Sequence, residues 1–293
     1  MDVVRRPVIL GVCFALGLVL AAAGAPLAAS MATGQQAATP APVSTQLSPA
    51  EMEVFLLQAS MSRIRDAGAG VTASQRATLS DGRLTHDAHI QTVDIARPVF
   101  QAGAKTELNF KDTYRYNIAG YRLARLVGLE TVPMSVERNV NGKAASVTWW
   151  VDDVLMDEKE RMRKSTSGPN PGRTTSQLQV MLVWDELIQN KDRNRGNIVW
   201  TKDWTMWLID HTRAFRLGKD LMKPETLTRC ERGLFERLNA LTDESIAEAV
   251  GTSLTKLERD ALLERRDRIV TILSDRIAKL GEDVVLFTLR GPG

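Results

Sequence analysis

"QNKDRNRGNIVW", residues 189–200, gathers Lys191, Asp192, Arg193, Arg195 and Asn197 around one glycine and then turns abruptly apolar. Solvated turns collect charge in this way too, so the flanking sequence decides between a turn and a site. Upstream, "TTSQLQVMLVWDELIQN" (174–190) is apolar nearly all round, which predicts a buried helix delivering Asp192 into a tight loop. Downstream, "NIVWTKDWTMWLIDH" (197–211) reads as an apolar strand, a turn at Lys202-Asp203, and a second apolar strand ending at Asp210. Residues equidistant from a hairpin turn face each other, so Asn197 is expected beside residues 208–210. An acid, an amide and a second acid then share the open end of one hairpin. Such a set suits Mg²⁺, a hard ion that takes few protein oxygens and fills its shell with water and phosphate.

The bulk composition narrows the classes. The chain has 293 residues, 44% hydrophobic and 25% charged, with a formal net charge of +3. That is ordinary globular composition, and no clustered basic stripe marks a nucleic-acid partner. Of two cysteines, Cys13 lies in the leader-like segment, which leaves Cys230 without an intramolecular partner. His86, His89 and His211 are the only histidines, and the first two fall on opposite faces of a strand, so a histidine or cysteine metal cluster is not expected.

At the N-terminus, Arg5 and Arg6 precede an uncharged apolar run that ends in small residues at Ala28 and Ala29. This is the tripartite pattern of a secretory signal over residues 1–29, cleaved between Ala25 and Ser30, or else of a membrane anchor over residues 7–29. No further cation occurs before Arg63, so the rest of the chain is expected on the far side of a membrane, in a periplasm, a lumen or outside the cell.

Residues 30–47 are small, polar and interrupted by proline, the composition of a disordered linker. "SPAEMEVFLLQASMSRIRDAG" (48–68) opens with Ser48 as a cap and Pro49 at the first helical position, predicting a helix that runs toward Gly68. Short strands follow to about Val93, then a helix over 112–127 closed by Gly128, then a hairpin around Asn141-Gly142. Residues 224–281 read as three helices broken near Leu241 and Gly251, with Ser253 capping the last. A sheet-rich lobe over 48–151 joined to a helical lobe over 152–293 is the expected plan.

With that plan, the Asp192-x₄-Asn197 spacing followed by a hairpin ending in Asp210 resembles the catalytic core of the atypical protein-kinase-like superfamily, the branch of phosphatidylinositol kinases, HipA-like kinases and secretory-pathway kinases. "YRYNIAGYRLARLVGLETVPMSVER" (114–138) resembles the helix-to-strand stretch of the same branch. The resemblance implies an α+β, two-lobed fold with a small strand-rich N-lobe and a helical C-lobe. It implies ATP and Mg²⁺ as cofactors, with Asp192 accepting the proton of the attacking hydroxyl and Asn197 and Asp210 holding the metal. Gly68 and Gly70 would cover the phosphates and Trp150 would lie against the base. The acceptor is unnamed by any residue: a protein, a lipid or a small molecule.

Two positions depart from the pattern. Where the resemblance implies a strand-borne Lys held by a helix Glu, the chain has Gln91 in "AHIQ" and Asn117 in "YRYNIAGY". An amide pair in mutual contact is expected there, with Lys105 or Lys111 as alternative phosphate contacts. Three readings follow: an exported kinase, a pseudokinase that binds nucleotide or protein without turnover, or a plain hairpin whose acids pair with Arg193, Arg195 or Arg213. A serine hydrolase is disfavoured, because no Gly-x-Ser-x-Gly occurs.

Overall fold

Residue 47 begins the description, which covers residues 47–67, 74–103 and 105–289 of a computed structural model. The leader, the linker up to residue 46, and Gly68 and Gly70 lie outside the described residues. Helix α1 (Pro49–Gln58) is fastened by a capping box in which the Ser48 hydroxyl accepts from the Glu51 amide and the Glu51 carboxylate accepts from the Ser48 amide. It stops ten residues short of Gly68, because the next segment is drawn into a sheet as β1 (Ser60–Asp66). Strands β2 (Gln75–Ser80) and β3 (Thr85–Gln91) continue that sheet.

An unexpected element follows. Strands β4 (Asp94–Ala102) and β5 (Lys105–Thr113) form a separate two-stranded hairpin inserted between the sheet and the next helix. The predicted helix therefore begins later than expected: α2 spans Arg115–Leu126, and Asp112 belongs to β5. Beyond α2, β6 (Ser135–Val140) and β7 (Lys143–Trp149) turn about Asn141 and Gly142, both at positive φ (51° and 82°), as a primed two-residue turn requires. The sheet order is β1-β2-β3-β7-β6, antiparallel throughout.

Side chains alternate across this sheet. Ala77, Leu79, Ala88, Ile90, Ala145 and Val147 face Phe55 and Leu56 of α1 and make one apolar core. Gln91 pairs with Ser146 and His89 with Thr148, which puts these polar residues on the opposite face. That face looks toward α2.

The remaining elements build the helical lobe. Strand β8 (Val154–Asp157) leads into α3 (Glu158–Arg163) and the long α4 (Pro171–Ile188), and β9 (Ile198–Thr201) and β10 (Met206–Leu208) form the expected hairpin, with β8 added at its edge. A short β11 (Cys230–Glu231) precedes α5 (Arg232–Ala240), α6 (Asp243–Val250) and α7 (Lys256–Leu280). Gly251–Ser253 closes into a 3₁₀ turn, so Thr255 rather than Ser253 caps α7. Helix α8 (Glu282–Val285) and β12 (Leu286–Phe287), paired with β11, complete the described chain. Trp184, Leu187, Trp200, Phe215, Leu262 and Ile269 centre a second, larger core, which also takes in Tyr116, Ala119, Leu123 and Ala124 of α2. Among the described residues no helix is long and apolar enough to cross a membrane.

Candidate active site

The loop after α4 is shaped by short polar side chains that bond their own backbone. Asn190 Oδ1 accepts from the Asp192 amide at 3.1 Å, and Asn194 Oδ1 accepts from the Gly196 amide at 2.8 Å, opening a 3₁₀ turn over Arg195–Asn197. Asn197 Nδ2 reaches the Asp192 carbonyl at 3.4 Å. The hairpin then pairs Ile198 with Leu208, and the Ile209 amide donates to the Asn197 carbonyl at 3.1 Å. Asn197 and Asp210 thus flank the open end of the hairpin. Asp210 is held at φ 55°, a left-handed backbone uncommon for a non-glycine residue, with its Oδ1 accepting from the Thr212 hydroxyl at 3.1 Å.

Arg193 does something the sequence did not announce. It is neither a solvated cation nor free to meet a phosphate: its side chain is only 7% exposed. Nε lies 3.1 Å from both oxygens of Asp185, and Nη1 donates to the carbonyls of Asn197 (3.0 Å) and Ile209 (2.7 Å). Nη2 lies 3.1 Å from Nε2 of His211, which Trp184 Nε1 also approaches at 3.2 Å. Two donors on one ring nitrogen require Nε2 to be an acceptor, so His211 is neutral with its proton on Nδ1. Burial, and then the Arg193 charge, push the His211 pKa well below its ordinary value. Burial pushes Asp185 up against the opposing pull of Arg193. One guanidinium locks α4, the loop and the hairpin together.

The acids face a second guanidinium. Asp192 is half-exposed, and burial raises its pKa, with Arg213 opposing and the charges of Asp210 and Asp112 adding. Arg213 Nε donates to Asp112 Oδ2 at 2.8 Å, and Arg213 Nη1 stands 3.6 Å from Asp192 Oδ2. Asp112 is 2% exposed, and its Oδ1 has no partner among the described residues. Arg216 is ion-paired to Glu107 at 3.2 Å and is pushed down by burial, and both arginines lie over the Phe110 ring. Asp112, Glu107 and Phe110 all come from the inserted β4–β5 hairpin. His89 reaches the site from β3; burial lowers its pKa and the Asp210 charge raises it, with burial prevailing.

On the sheet side, Gln91 and Asn117 are both buried, at 3% and 6% exposure. Asn117 Nδ2 donates to Ser146 Oγ at 3.1 Å, and its Oδ1 accepts from the His211 amide at 2.8 Å. Gln91 Oε1 accepts from the amides of Thr92 and Val93, both at 2.9 Å. Ser146 faces Gln91 across the ladder and bonds Asn117. Gly120 in α2 gives this latch its room, since a Cβ there would stand 3.1 Å from the His211 ring. Trp150 lies under the Arg76 guanidinium at 4.1 Å. Lys111 is committed to Glu258 of α7 at 2.6 Å, and the Lys105 side chain is outside the described residues.

No group of three or more His, Cys, Asp or Glu residues among the described residues has metal-holding geometry. The donor set still fits a hard cation of few protein ligands: one carboxylate oxygen of Asp210 and the amide oxygen of Asn197, beside Asp192. Sequence reasoning missed Asp112 and His89. Their signal was weak, since neither stands in the loop motif.

No protein-family model and no curated protein sequence matches the chain. Solved structures do. Hydra Fam20 with sugar superposes with a TM-score of 0.62 at 15% identity, over 82% of this chain and 93% of that one. The Golgi casein kinase gives 0.60 at 13%, over 81% and 77%, and was also solved with Mn/ADP bound. The Helicobacter pylori proinflammatory kinase CtkA gives 0.50 at 11%, over 78% and 98%. With five antiparallel strands, an internal helix, and a helical lobe carrying the Asp192-to-Asp210 hairpin, the chain has a two-lobed, protein-kinase-like fold similar to those of these kinases.

Proposed function

We propose that the chain is an exported kinase that transfers the γ-phosphoryl group of Mg-ATP to an acceptor hydroxyl. The carrying observation is the convergence of Asp192, Asn197 and Asp210 at one hairpin end, held there by the buried Arg193–Asp185 pair. Asp192 orients the acceptor hydroxyl and takes its proton as the new O–P bond forms and the bond to the ADP oxygen breaks. Its raised pKa favours that role, because a base nearer neutrality holds the transferred proton better. Asn197 and Asp210 would hold the metal. Mg²⁺, when bound, neutralises the charge of the β- and γ-phosphates. The kinase neighbours, one of them solved with Mn/ADP, support nucleotide and divalent-metal use by this fold.

The test is nucleotide-dependent stabilisation followed by phosphoryl transfer. A ligand that binds only the native state raises the melting temperature by mass action. Mg-ATP at millimolar concentration is expected to do so in the wild type, and Asp210→Asn to abolish the Mg²⁺-dependent part. Asp192→Asn should keep the stabilisation and lose transfer to water or to a generic acceptor protein. No shift with ATP, ADP or GTP would remove the nucleotide reading.

A pseudokinase is the second reading, favoured by the uncharged Gln91 and Asn117 on the sheet side. It predicts the same stabilisation without turnover in the wild type. Export belongs to the proposal through residues 1–29, and a reporter fused after Gly293 that works only in the cytosol would overturn it.

A further inference from the structure

A nucleoside triphosphate brought to this hairpin meets Asp192, Asp210 and Asp112, three carboxylates close enough that the last two add their charge to the burial that raises the Asp192 pKa. Gln91 and Asn117 bring no charge to offset them. Most cations near the site are committed elsewhere. Arg193 is enclosed by Asp185, two carbonyls and His211. Arg216 is buried against Glu107, Lys111 is tied to α7, and Arg76 is paired to Asp87.

Arg213 differs in three respects. It follows Asp210 by three residues, its side chain remains 30% exposed, and the charges of Asp112, Asp192 and Asp210 all act on it. Only its Nε is spent, on Asp112. Nη1 is ion-paired with Asp192 at 3.6 Å, too long for a hydrogen bond, so the outer N–H donors of the fork make no hydrogen bond. A planar guanidinium presenting two such N–H edges matches a phosphate better than a point charge does.

We infer that Arg213 is the phosphate-contacting cation of this site, aimed by Asp112 of the inserted hairpin. Asp112 is the positioning residue. Its buried carboxylate fixes the Nε edge, so the opposite edge of the guanidinium is turned toward Asp192 and the space beside Asp210. The hairpin insertion thereby aims, from outside the sheet, the Arg213 charge that stands in for the one the sheet lacks. This inference rests on the kinase reading, and the experiment separates the two.

Dissociation constants for ATP and for AMP, both with MgCl₂, are measured by competition in the wild type, Arg213→Ala and Arg213→Lys. Loss of one charge-assisted phosphate contact is expected to weaken ATP by roughly tenfold or more in Arg213→Ala. AMP should be unchanged, and Arg213→Lys should fall between. Arg213→Ala leaves Asp112 buried without its partner, so Arg213→Ala with Asp112→Asn is the variant that protects folding. It should show the same selective loss. Equal ATP affinity in the wild type and both alanine variants overturns the inference and leaves the kinase reading intact. ATP and AMP weakening together overturns it as well, since that marks a structural role. A wild type that binds no ATP removes both.

Discussion

At the residue scale, Arg193 and His211 set the limit of what the motif could say. The Asp-x₄-Asn spacing and the apolar hairpin were legible in 189–211, because period and turn position follow from the sequence alone. That Arg193 would turn inward was not legible, because its partners come from α4, the loop and the hairpin at once. In place of the expected amide pair, Asn117 bonds Ser146 and the His211 amide, while the Gln91 oxygen turns to the amides of Thr92 and Val93. His211 carries a pH signature. Its folded pKa lies well below the unfolded value of about 6.5, so below that pH the unfolded chain binds the extra proton. This contribution to stability is complete above about pH 6.5 and is lost on acidification, by about 1.4 kcal/mol per pH unit in that window. Urea unfolding at pH 7.5, 6.5 and 5.5 should show a steeper acid loss in the wild type than in His211→Gln. Parallel pH slopes in the two proteins would remove the neutral-acceptor assignment.

At the element scale, the inserted β4–β5 hairpin is the feature the sequence concealed. Its run is interrupted by Pro98, opposite Asn109 at φ 53°, although the register holds from Arg97–Phe110 to Val99–Leu108. Asp112 then reads as the start of a helix, although it lies in β5 beside Lys111, and both side chains have partners far along the chain. Glu258 of α7 is one of those partners. It is 2% exposed and accepts from Lys111, the Tyr116 hydroxyl and the Thr255 amide. Removing it strands a cation, a phenol and a helix cap together. Glu258→Ala is expected to cost about 3 kcal/mol, the low end for breaking a buried pair, because Lys111 keeps some contact with water. For a chain of this size that lowers the melting temperature by roughly 6–12 °C. A calorimetric shift below about 2 °C would show that the hairpin is not anchored through α7.

At the scale of the whole molecule, two apolar cores would suggest two folding units, yet α2 joins them. Tyr116, Ala119, Leu123 and Ala124 belong to the larger core, while Tyr121 packs against both. The Asn117–His211, Thr113–Thr212 and Arg213–Asp112 contacts cross between the sheet side and the segment after Asp210. Unfolding of residues 47–289 is therefore expected as one cooperative transition, with near-ultraviolet and far-ultraviolet circular dichroism tracing a single curve. Separated transitions would mean that α2 holds the halves together less tightly than its burial implies. The two-lobed plan was legible from the order of strands and helices; the membership of α2 was not, since an apolar face does not say which surface it will meet. This placement bears on modular exchange. A chimera that swaps strand-rich halves between chains of this fold by cutting at the Trp150 connector would carry α2 away from its own apolar bed. A graft that leaves residues 113–134 with the helical half keeps that bed filled, so the natural seam of the molecule runs on either side of α2 rather than through the linker.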